Sequence, residues 1–388
     1  MKFEEIKKLD GEYLAETYGR YPVAFEGGKN ATLSGVDGKE YIDFGSGIAV
    51  NVFGVNDEVW KNAVVEQLNK IQHVSNYYYA EPQSRLAALL CERTGAKRVF
   101  FGNSGAEANE CALKAARKYS FEKYGEGRHK IVSLKNSFHG RTLFTLTATG
   151  QDAFHQYFGP FVPGVDYAEP NIADVRRVAG KDTCAVIVEP IQGESGVNPL
   201  SPAFMSALSE FCKKEDILLI IDEVQTGNGR TGTLYAYEQY NVVPDIMTTA
   251  KGLGGGLPIG ACLFFEKTEH VLRAGDHGST FGGNPVACAG AYSILSRLDQ
   301  DFLLEVQGKS EYMRAKLRTM DGVKKVTGLG LMIGLDVKGD AKAIAKKCLE
   351  RGLLVLTAHD RLRFVPPLTI TKTEIDEGLS ILREVLQA

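Results

Sequence analysis

Short β-rich segments alternate with helical segments through the middle of the chain, and this alternation limits the possible folds more than any other feature. Residues 106–125 carry apolar side chains at helical spacing, and Ser201-Pro202 begins a second helical stretch. The β-rich segments are residues 97–101, 130–134, 145–149, 184–190, 217–224, 245–251 and 261–267. Strands that alternate with helices are typical of a parallel sheet covered on both faces. The sequence therefore predicts an α/β fold with a mainly parallel, seven-stranded sheet flanked by helices.

The chain changes character on either side of this α/β region. Its 388 residues suffice for two or three domains. A hairpin is predicted around Asp37-Gly38, and after about residue 300 short strands mix with amphipathic helices. We predict a large domain at 46–275 and a smaller α+β domain. Residues 1–45 would join the small domain, and 276–388 would supply a connecting helix and its C-terminal part.

Composition excludes several classes of function. The formal net charge of -3 and pI near 6.2 give no basic surface for nucleic acid. Seven cysteines form no CxxC pair, which indicates reduced thiols and no metal site. No apolar run approaches the roughly 18 residues that span a membrane, and the amino terminus lacks the apolar stretch of a signal peptide. We expect a cytoplasmic protein that acts on small molecules.

Two charged residues stand where apolar segments end. Lys251 closes one segment and is followed by four glycines within five residues, which would let a ligand approach closely. A partly desolvated lysine loses its proton readily and becomes a nucleophile toward a carbonyl group. If that carbonyl belonged to pyridoxal phosphate, Asp222 could hold the proton on its ring nitrogen. From the residues alone, a surface lysine and an aspartate that caps a turn remain the alternatives.

Residues 101–110 pass from a strand through a Ser-Gly turn into a helix. A helix that begins in this way presents free backbone amides to an anion, and a phosphate group would fit there. Many α/β loops share the pattern and only begin a helix.

Six segments, in this order, resemble the class III aminotransferases, which are pyridoxal-phosphate enzymes of fold type I. They read NSGAEANE, FHGRT, EPIQGE, DEVQTGNGRTG, TTAKGLGGGLPIGA and STFGGNP. The resemblance covers about residues 20–370, and FGSGIAVNVFG and SNYYYAEPQ are most similar to the branch that acts on acetylornithine. The chain departs from the family where it reads FGVNDEVW in place of a His-Pro pair, and at Ser195, where glycine is common.

The resemblance implies a role for each residue around the cofactor ring. Lys251 would form the covalent link to the aldehyde of pyridoxal phosphate, and Asp222 would meet the ring nitrogen. Val224 would back the ring and Gln225 would hydrogen-bond its phenolate oxygen. Phe138 would stack on the exposed face of the ring.

The resemblance also implies a phosphate site shared between two subunits. Gly105 and Ala106 would bind the phosphate through their amides. Thr280 would reach the phosphate from the partner subunit, with Ser279 beside it near the substrate. Such a site requires a homodimer, because a single chain would leave it incomplete.

The implied reaction moves the terminal amino group of N2-acetyl-L-ornithine to 2-oxoglutarate, a step of arginine biosynthesis. The products are N-acetyl-L-glutamate 5-semialdehyde and L-glutamate. Arg141 is the candidate for the remote carboxylate and Arg363 for the carboxylate beside the reacting carbon, since a guanidinium grips a carboxylate bidentately. Glu194 resembles the family residue that neutralises Arg363 when that carboxylate is absent. Ornithine, succinyldiaminopimelate and 4-aminobutyrate remain alternative donors, and surface ion pairs remain the alternative for the arginines.

Overall fold

The computed structural model describes residues 1–388 and places helices and strands in the predicted alternation. The helices are Phe3–Tyr13 (α1), Ser46–Ala49 (α2), Glu58–Leu68 (α3), Glu81–Thr94 (α4), Gly105–Tyr124 (α5), Leu143–Ala148 (α6), Ile172–Val178 (α7), Pro202–Glu215 (α8), Pro285–Leu295 (α9), Gln300–Arg318 (α10), Ala341–Glu350 (α11) and Lys372–Gln387 (α12). The strands are Phe25–Lys29 (β1), Thr32–Gly35 (β2), Glu40–Asp43 (β3), Arg98–Gly102 (β4), Lys130–Leu134 (β5), Val165–Ala168 (β6), Thr183–Val188 (β7), Ile191–Gln192 (β8), Asn198–Pro199 (β9), Leu218–Asp222 (β10), Ile246–Thr249 (β11), Gly260–Phe264 (β12), Val323–Leu329 (β13), Met332–Val337 (β14), Leu353–Leu354 (β15), Leu356–Ala358 (β16) and Arg361–Phe364 (β17).

A seven-stranded sheet in the order β4-β12-β11-β10-β7-β5-β6 forms the centre of the molecule. Strand β12 runs antiparallel to the other six strands. The prediction of a mainly parallel, seven-stranded sheet flanked by helices is therefore confirmed.

Strand β10 shows why the central strands are apolar throughout. Leu218 and Ile220 pack in the same core cluster as the buried alanines of α5. Leu219 and Ile221 pack on the opposite face, in the larger cluster that includes Phe204 of α8. Successive side chains of a strand point to opposite faces, so a sheet covered on both faces needs apolar residues at every position.

One predicted strand is wrong. Residues 145–149 lie at the end of α6, and the seventh strand is instead β6 at the edge of the sheet. The threonine-rich sequence suggested a strand because β-branched residues favour strands. Here the hydroxyls of Thr147 and Thr149 donate to the carbonyl oxygens of Leu143 and Thr145, at 2.6 and 3.0 Å, a back-bonding pattern that helices accommodate.

Both ends of the chain contribute to smaller sheets. The predicted hairpin around Asp37-Gly38 is confirmed, since β2 pairs with β3 across it. Strand β3 also pairs with β15, so residues 1–45 share a sheet with the C-terminal region. A second four-stranded sheet has the order β13-β14-β17-β16. The domain boundaries at residues 46 and 275 remain a prediction.

None of the helices is both long enough and apolar enough to span a membrane.

Candidate active site

A cavity of about 440 Å³ lies where the parallel strands of the central sheet end. Ligands of open α/β sheets bind beyond the carboxyl ends of the strands, so this position is the expected one. Eight of the predicted residues line the cavity: Gly105, Ala106, Phe138, Arg141, Asp222, Val224, Gln225 and Lys251. The other four predicted residues, Glu194, Ser279, Thr280 and Arg363, do not line it directly.

The two acids at the end of β10 face opposite ways. Asp222 continues the alternation of Leu218 and Ile220 toward α5, and lines the cavity. Glu223 accepts a hydrogen bond from the amide of Tyr237 at 2.7 Å and another from the hydroxyl of Thr226. Burial raises the pKa of Glu223 to about 7. Only Asp222 is therefore placed to meet a ligand, and Glu223 anchors the following loop.

Asp222 is 4% exposed and accepts hydrogen bonds at both carboxylate oxygens. Its Oδ2 atom lies 2.7 Å from Asn109 Nδ2 and 2.8 Å from His139 Nδ1. Its Oδ1 atom accepts from the amide of Val224 at 3.0 Å. Three donors hold the side chain in one orientation.

Lys251 follows β11 and is half-buried in the wall of the cavity. Burial lowers its pKa, although the carboxylates of Glu194 and Asp222 act in the opposite direction. A lowered pKa increases the fraction of neutral amine, which is the form that attacks a carbonyl carbon. The backbone φ of Lys251 is 45°, a left-handed value that is uncommon outside glycine.

The first turn of α5 forms one end of the cavity. The hydroxyl of Ser104 accepts from the amide of Glu107 at 3.1 Å and caps the helix. The amides of Gly105 and Ala106 belong to this first turn, where amides have no partner within the helix. A Cβ at position 105 would come within 2.7 Å of Val224 Cγ1. Only glycine therefore lets the helix start this close to Val224.

Arg363 is 3% exposed and pairs with Glu194. Its Nη1 donates to Glu194 Oε1 at 2.6 Å and to Gln225 Oε1 at 3.3 Å. Burial alone would raise the pKa of Glu194, but the guanidinium outweighs it and the pKa is lowered. Because Gln225 lines the cavity, it connects this ion pair to the space where a substrate would lie.

Arg141 has a different environment from Arg363. It is exposed, and no carboxylate lies within ion-pair distance of its guanidinium. The guanidinium lies 4.3 Å from the centre of the Phe154 ring and 5.7 Å from that of Phe138. The surface ion pair considered from the sequence is therefore wrong for Arg141, which is available for the carboxylate of a ligand.

Ser279 and Thr280 lie outside the cavity of their own chain. The hydroxyl of Ser279 accepts from Asn103 Nδ2 at 3.1 Å, and Asn103 lines the cavity. Thr280 is exposed to solvent. The predicted contact between Thr280 and a phosphate would need a second subunit, and it remains a prediction.

One polar residue at the centre of the site, Asn109, was not predicted from the sequence. Asn109 lines the cavity and bonds to Asp222, although it lies within the NSGAEANE segment. It follows Gly105 by four residues, the spacing that places two residues on the same face of a helix. That spacing could have identified it.

The residues around the cavity fit pyridoxal phosphate. The first turn of α5 suits a phosphate group, Asp222 suits a protonated ring nitrogen, and Lys251 suits an aldehyde. Phe138, half-buried in the cavity wall, offers an aromatic face to a ring.

Comparisons with known proteins agree with this fit. The family Aminotransferase class-III matches residues 13–386. Acetylornithine aminotransferase from Haemophilus ducreyi is 49% identical over 100% of this chain and 99% of its own. Acetylornithine aminotransferase from Aquifex aeolicus is 47% identical over 96% of this chain and 100% of its own. Succinylornithine transaminase from Photorhabdus laumondii is 46% identical over 90% of each chain.

Solved structures have the same fold. Ornithine aminotransferase from Toxoplasma gondii superposes with a TM-score of 0.95 at 30% identity, covering 100% of this chain and 95% of that one. N-acetylornithine aminotransferase from Stenotrophomonas maltophilia superposes with a TM-score of 0.85 at 36% identity, covering 98% of each. With a cavity whose residues fit the cofactor, this chain belongs to the class III aminotransferases and is a pyridoxal-phosphate-dependent enzyme.

Proposed function

We propose that the enzyme transfers the terminal amino group of N2-acetyl-L-ornithine to 2-oxoglutarate. The observation that carries the proposal is the contrast between two arginines, exposed and unpaired at Arg141 but buried and paired at Arg363. The relatives named acetylornithine aminotransferase, at 47% and 49% identity, support the same donor.

The two substrates place their carboxylates differently. Acetylornithine reacts at its terminal amine, several bonds from its carboxylate, and glutamate reacts at the carbon that bears its α-carboxylate. Arg141, without an ion-pair partner, would bind the remote carboxylate of either substrate. Arg363 would bind only the carboxylate beside the reacting carbon. Two arginines in different environments therefore let one cavity accept both substrates.

Glu194 supplies the counter-ion that buried Arg363 needs when the substrate has no carboxylate beside its reacting carbon. A buried guanidinium without a counter-ion is strongly destabilising, and acetylornithine offers no carboxylate at that position. The 2.6 Å contact with Glu194 keeps Arg363 neutralised in the first half-reaction. When 2-oxoglutarate binds, its α-carboxylate would replace Glu194 as the partner of Arg363.

The residues around the ring perform the proton transfers. Pyridoxal phosphate, when bound, supplies an electron sink that stabilises negative charge on the carbon bearing the reacting amino group. Asp222 would hold the proton on the ring nitrogen, because its carboxylate is buried and fixed by three donors. Lys251 Nζ would take the proton from the reacting carbon of the donor and would deliver it to the aldehyde carbon of the cofactor, since its lowered pKa lets the neutral amine act as a base.

Half-reaction spectra test the choice of donor. The purified holoenzyme is mixed in turn with acetylornithine, succinylornithine, ornithine, succinyldiaminopimelate and 4-aminobutyrate, and the absorbance of the lysine-bound cofactor is followed in time. We expect acetylornithine to bleach the absorbance fastest. A faster reaction with another donor would keep the family and overturn the substrate.

We also propose that the active enzyme is a homodimer with shared sites. Tyr77 and Tyr79 are almost fully exposed and Phe281 is 61% exposed, which gives an aromatic surface that favours association. Asn76 donates to the carbonyl of Ser279 at 3.0 Å, which joins the tyrosine segment to the segment that carries the proposed phosphate ligand. A second subunit would cover both.

Mixed dimers test whether each active site contains residues of both subunits. A Lys251→Ala chain has no lysine for its own cavity, and a Thr280→Ala chain lacks the hydroxyl proposed to serve its partner. If Thr280 acts across the interface, each mixed dimer holds one site with both wild-type residues. Co-refolding the two variants should then restore about half the wild-type activity per mixed dimer. If Thr280 acts within its own chain, mixing restores no activity beyond that of the Thr280→Ala enzyme.

A further inference from the structure

Asn109 is a buried polar residue of the cavity to which the proposed reaction assigns no role. It is 1% exposed, on the face of α5 that packs on the central sheet. Its Nδ2 donates to Asp222 Oδ2 at 2.7 Å and to the carbonyl oxygen of His139 at 2.8 Å. Its Oδ1 accepts from the hydroxyl of Thr248 at 2.7 Å. A single buried amide thus connects a helix, two strands and the FHGRT loop.

The network fixes which way the amide points. The carbonyl oxygen of His139 can only accept, so the Asn109 atom that faces it must be the nitrogen. Thr248 is the strand partner of Asp222 in β11, and its hydroxyl supplies the donor that the amide oxygen needs. A flipped amide would place its oxygen against two acceptors. The second N–H of Asn109 is therefore directed at Asp222.

The hydrogen bonds leave one position open on Asp222. A carboxylate oxygen has about two lone-pair directions. Oδ2 already receives Asn109 and His139, so it has no direction left. Oδ1 receives only the amide of Val224, so one direction remains.

We propose that Asn109 is a positioning residue that occupies Asp222 Oδ2 and thereby reserves Oδ1 for the ring nitrogen of the cofactor. Asn109 acts in this way only if Asp222 serves the ring nitrogen, as proposed above. A purely structural amide would hold α5 against the sheet, and its loss would affect every ligand of the cavity equally. A positioning amide affects only ligands that carry the ring nitrogen.

An analogue of pyridoxal phosphate with carbon in place of the ring nitrogen separates these two roles. It keeps the phosphate and the aldehyde but cannot use Asp222. The dissociation constants of both ligands are measured on apoenzyme by fluorescence of Trp60, the one tryptophan of the chain, which donates to the carbonyl of Gly254 in the glycine loop after Lys251. The quantity compared is the ratio of the two constants.

We expect wild-type enzyme to bind the natural cofactor more tightly than the analogue, and Asn109→Ala to reduce this ratio by about tenfold, the scale of a hydrogen bond to a charged group. Asn109→Leu, which leaves a smaller cavity, should give the same reduction, so the test survives if one variant folds poorly. Ser120→Ala is the matched control, because Ser120 is also buried on α5 and its hydroxyl has no partner. Its ratio should equal that of wild type.

Two other results would overturn the inference, for different reasons. If wild type discriminates but both Asn109 variants keep the same ratio, the role of Asn109 is structural. If wild type itself binds both ligands equally, Asp222 does not serve the ring nitrogen, and the proposed role of Asp222 falls together with that of Asn109.

Discussion

The two ends of the candidate active site, around Asp222 and around Arg363, are held together in opposite ways. Around Asp222, both carboxylate oxygens accept hydrogen bonds of 2.7 to 3.0 Å, and the donors lie on α5, in the FHGRT loop and just after β10. Around Arg363, the guanidinium meets Glu194 at 2.6 Å, but its Nε has no partner and Gln225 contacts it only at 3.3 Å. One end has a nearly complete set of hydrogen bonds, and the other has a strong pair beside unused donors.

The roles proposed for the two ends would account for this difference. A cofactor stays in place through many turnovers, so a fixed arrangement costs nothing in rate. Two substrates must exchange at the other end, so its partners have to separate and pair again. A nearly complete set of hydrogen bonds suits the first task, and an ion pair that a carboxylate can replace suits the second.

The largest expected effect concerns Lys251, which lines the cavity. Lys251→Ala should slow the half-reaction with acetylornithine by about ten-thousand-fold, because it would remove both the proposed nucleophile and the proposed proton carrier. The variant should fold normally, since a half-buried amine is replaced by a small apolar group. Stopped-flow absorbance and urea unfolding measure the two properties.

Lys346→Ala, on the exposed face of α11, is the control and should retain wild-type rates. A Lys251→Ala enzyme that keeps more than about one per cent of the rate would show that another base acts in the cavity.

A smaller effect concerns the other acid of β10. The pKa of Glu223 is raised from 4.5 to about 7, so folding favours its protonated form. The stability that this form contributes is complete below about pH 4.5 and is lost as the pH rises through about 7. Glu223→Gln imitates the protonated carboxyl group, so the stability of this variant should not fall as the pH rises through about 7. Between about pH 4 and 8, the free energy of unfolding of wild type should therefore fall by about 3 kcal/mol relative to that of the variant.

Urea unfolding at a series of pH values measures this difference. Glu210→Gln, on the exposed surface of α8, is the matched control and should follow wild type. Parallel pH curves for wild type and Glu223→Gln would show that the buried acid does not titrate in this range.

The smallest effect is expected at the ion pair between Glu194 and Arg363. In Glu194→Ala, Arg363 has no counter-ion when acetylornithine is bound, whereas glutamate brings its own carboxylate. The ratio of kcat/KM for acetylornithine to that for glutamate should fall by about tenfold, the scale of one charge-assisted hydrogen bond. Ser195→Ala is the control, because the neighbouring hydroxyl is buried without a partner. Unchanged selectivity in Glu194→Ala would mean that the pair with Arg363 does not exchange.

The sequence predicts the sheet and the positions of its acids well, for a physical reason. A strand buried on both faces must be apolar throughout, so Asp222 is conspicuous where β10 ends. Lys251 is conspicuous at the end of β11 for the same reason. The helix at residues 143–148 was not predictable in this way, because threonine hydroxyls that bond to the helix backbone leave no periodic pattern.

Local sequence patterns could not predict contacts between distant segments of the chain. Asn109 meets Asp222 across 113 residues, and nothing near either residue indicates the partner.

The departure from the family's His-Pro pair is explained only by the fold. Asp57 accepts from the amide of Trp60 at 3.2 Å and pairs with Arg297, which lies 3.8 Å from the ring centre of Phe53. The aspartate thus caps α3 and ties it to the end of α9.

The alternation along β10 also bears on how the gene can change. A strand advances about 3.3 Å per residue and reverses its facing at each step. Inserting one codon within β10 would turn Asp222 into the core that Glu223 occupies and bring Glu223 toward α5. Inserting two would restore the facing but displace the carboxylate by more than 6 Å from Asn109 and His139. Substitutions can be tolerated along this strand, but its length cannot vary by a single residue without removing the acid from its place in the cavity wall.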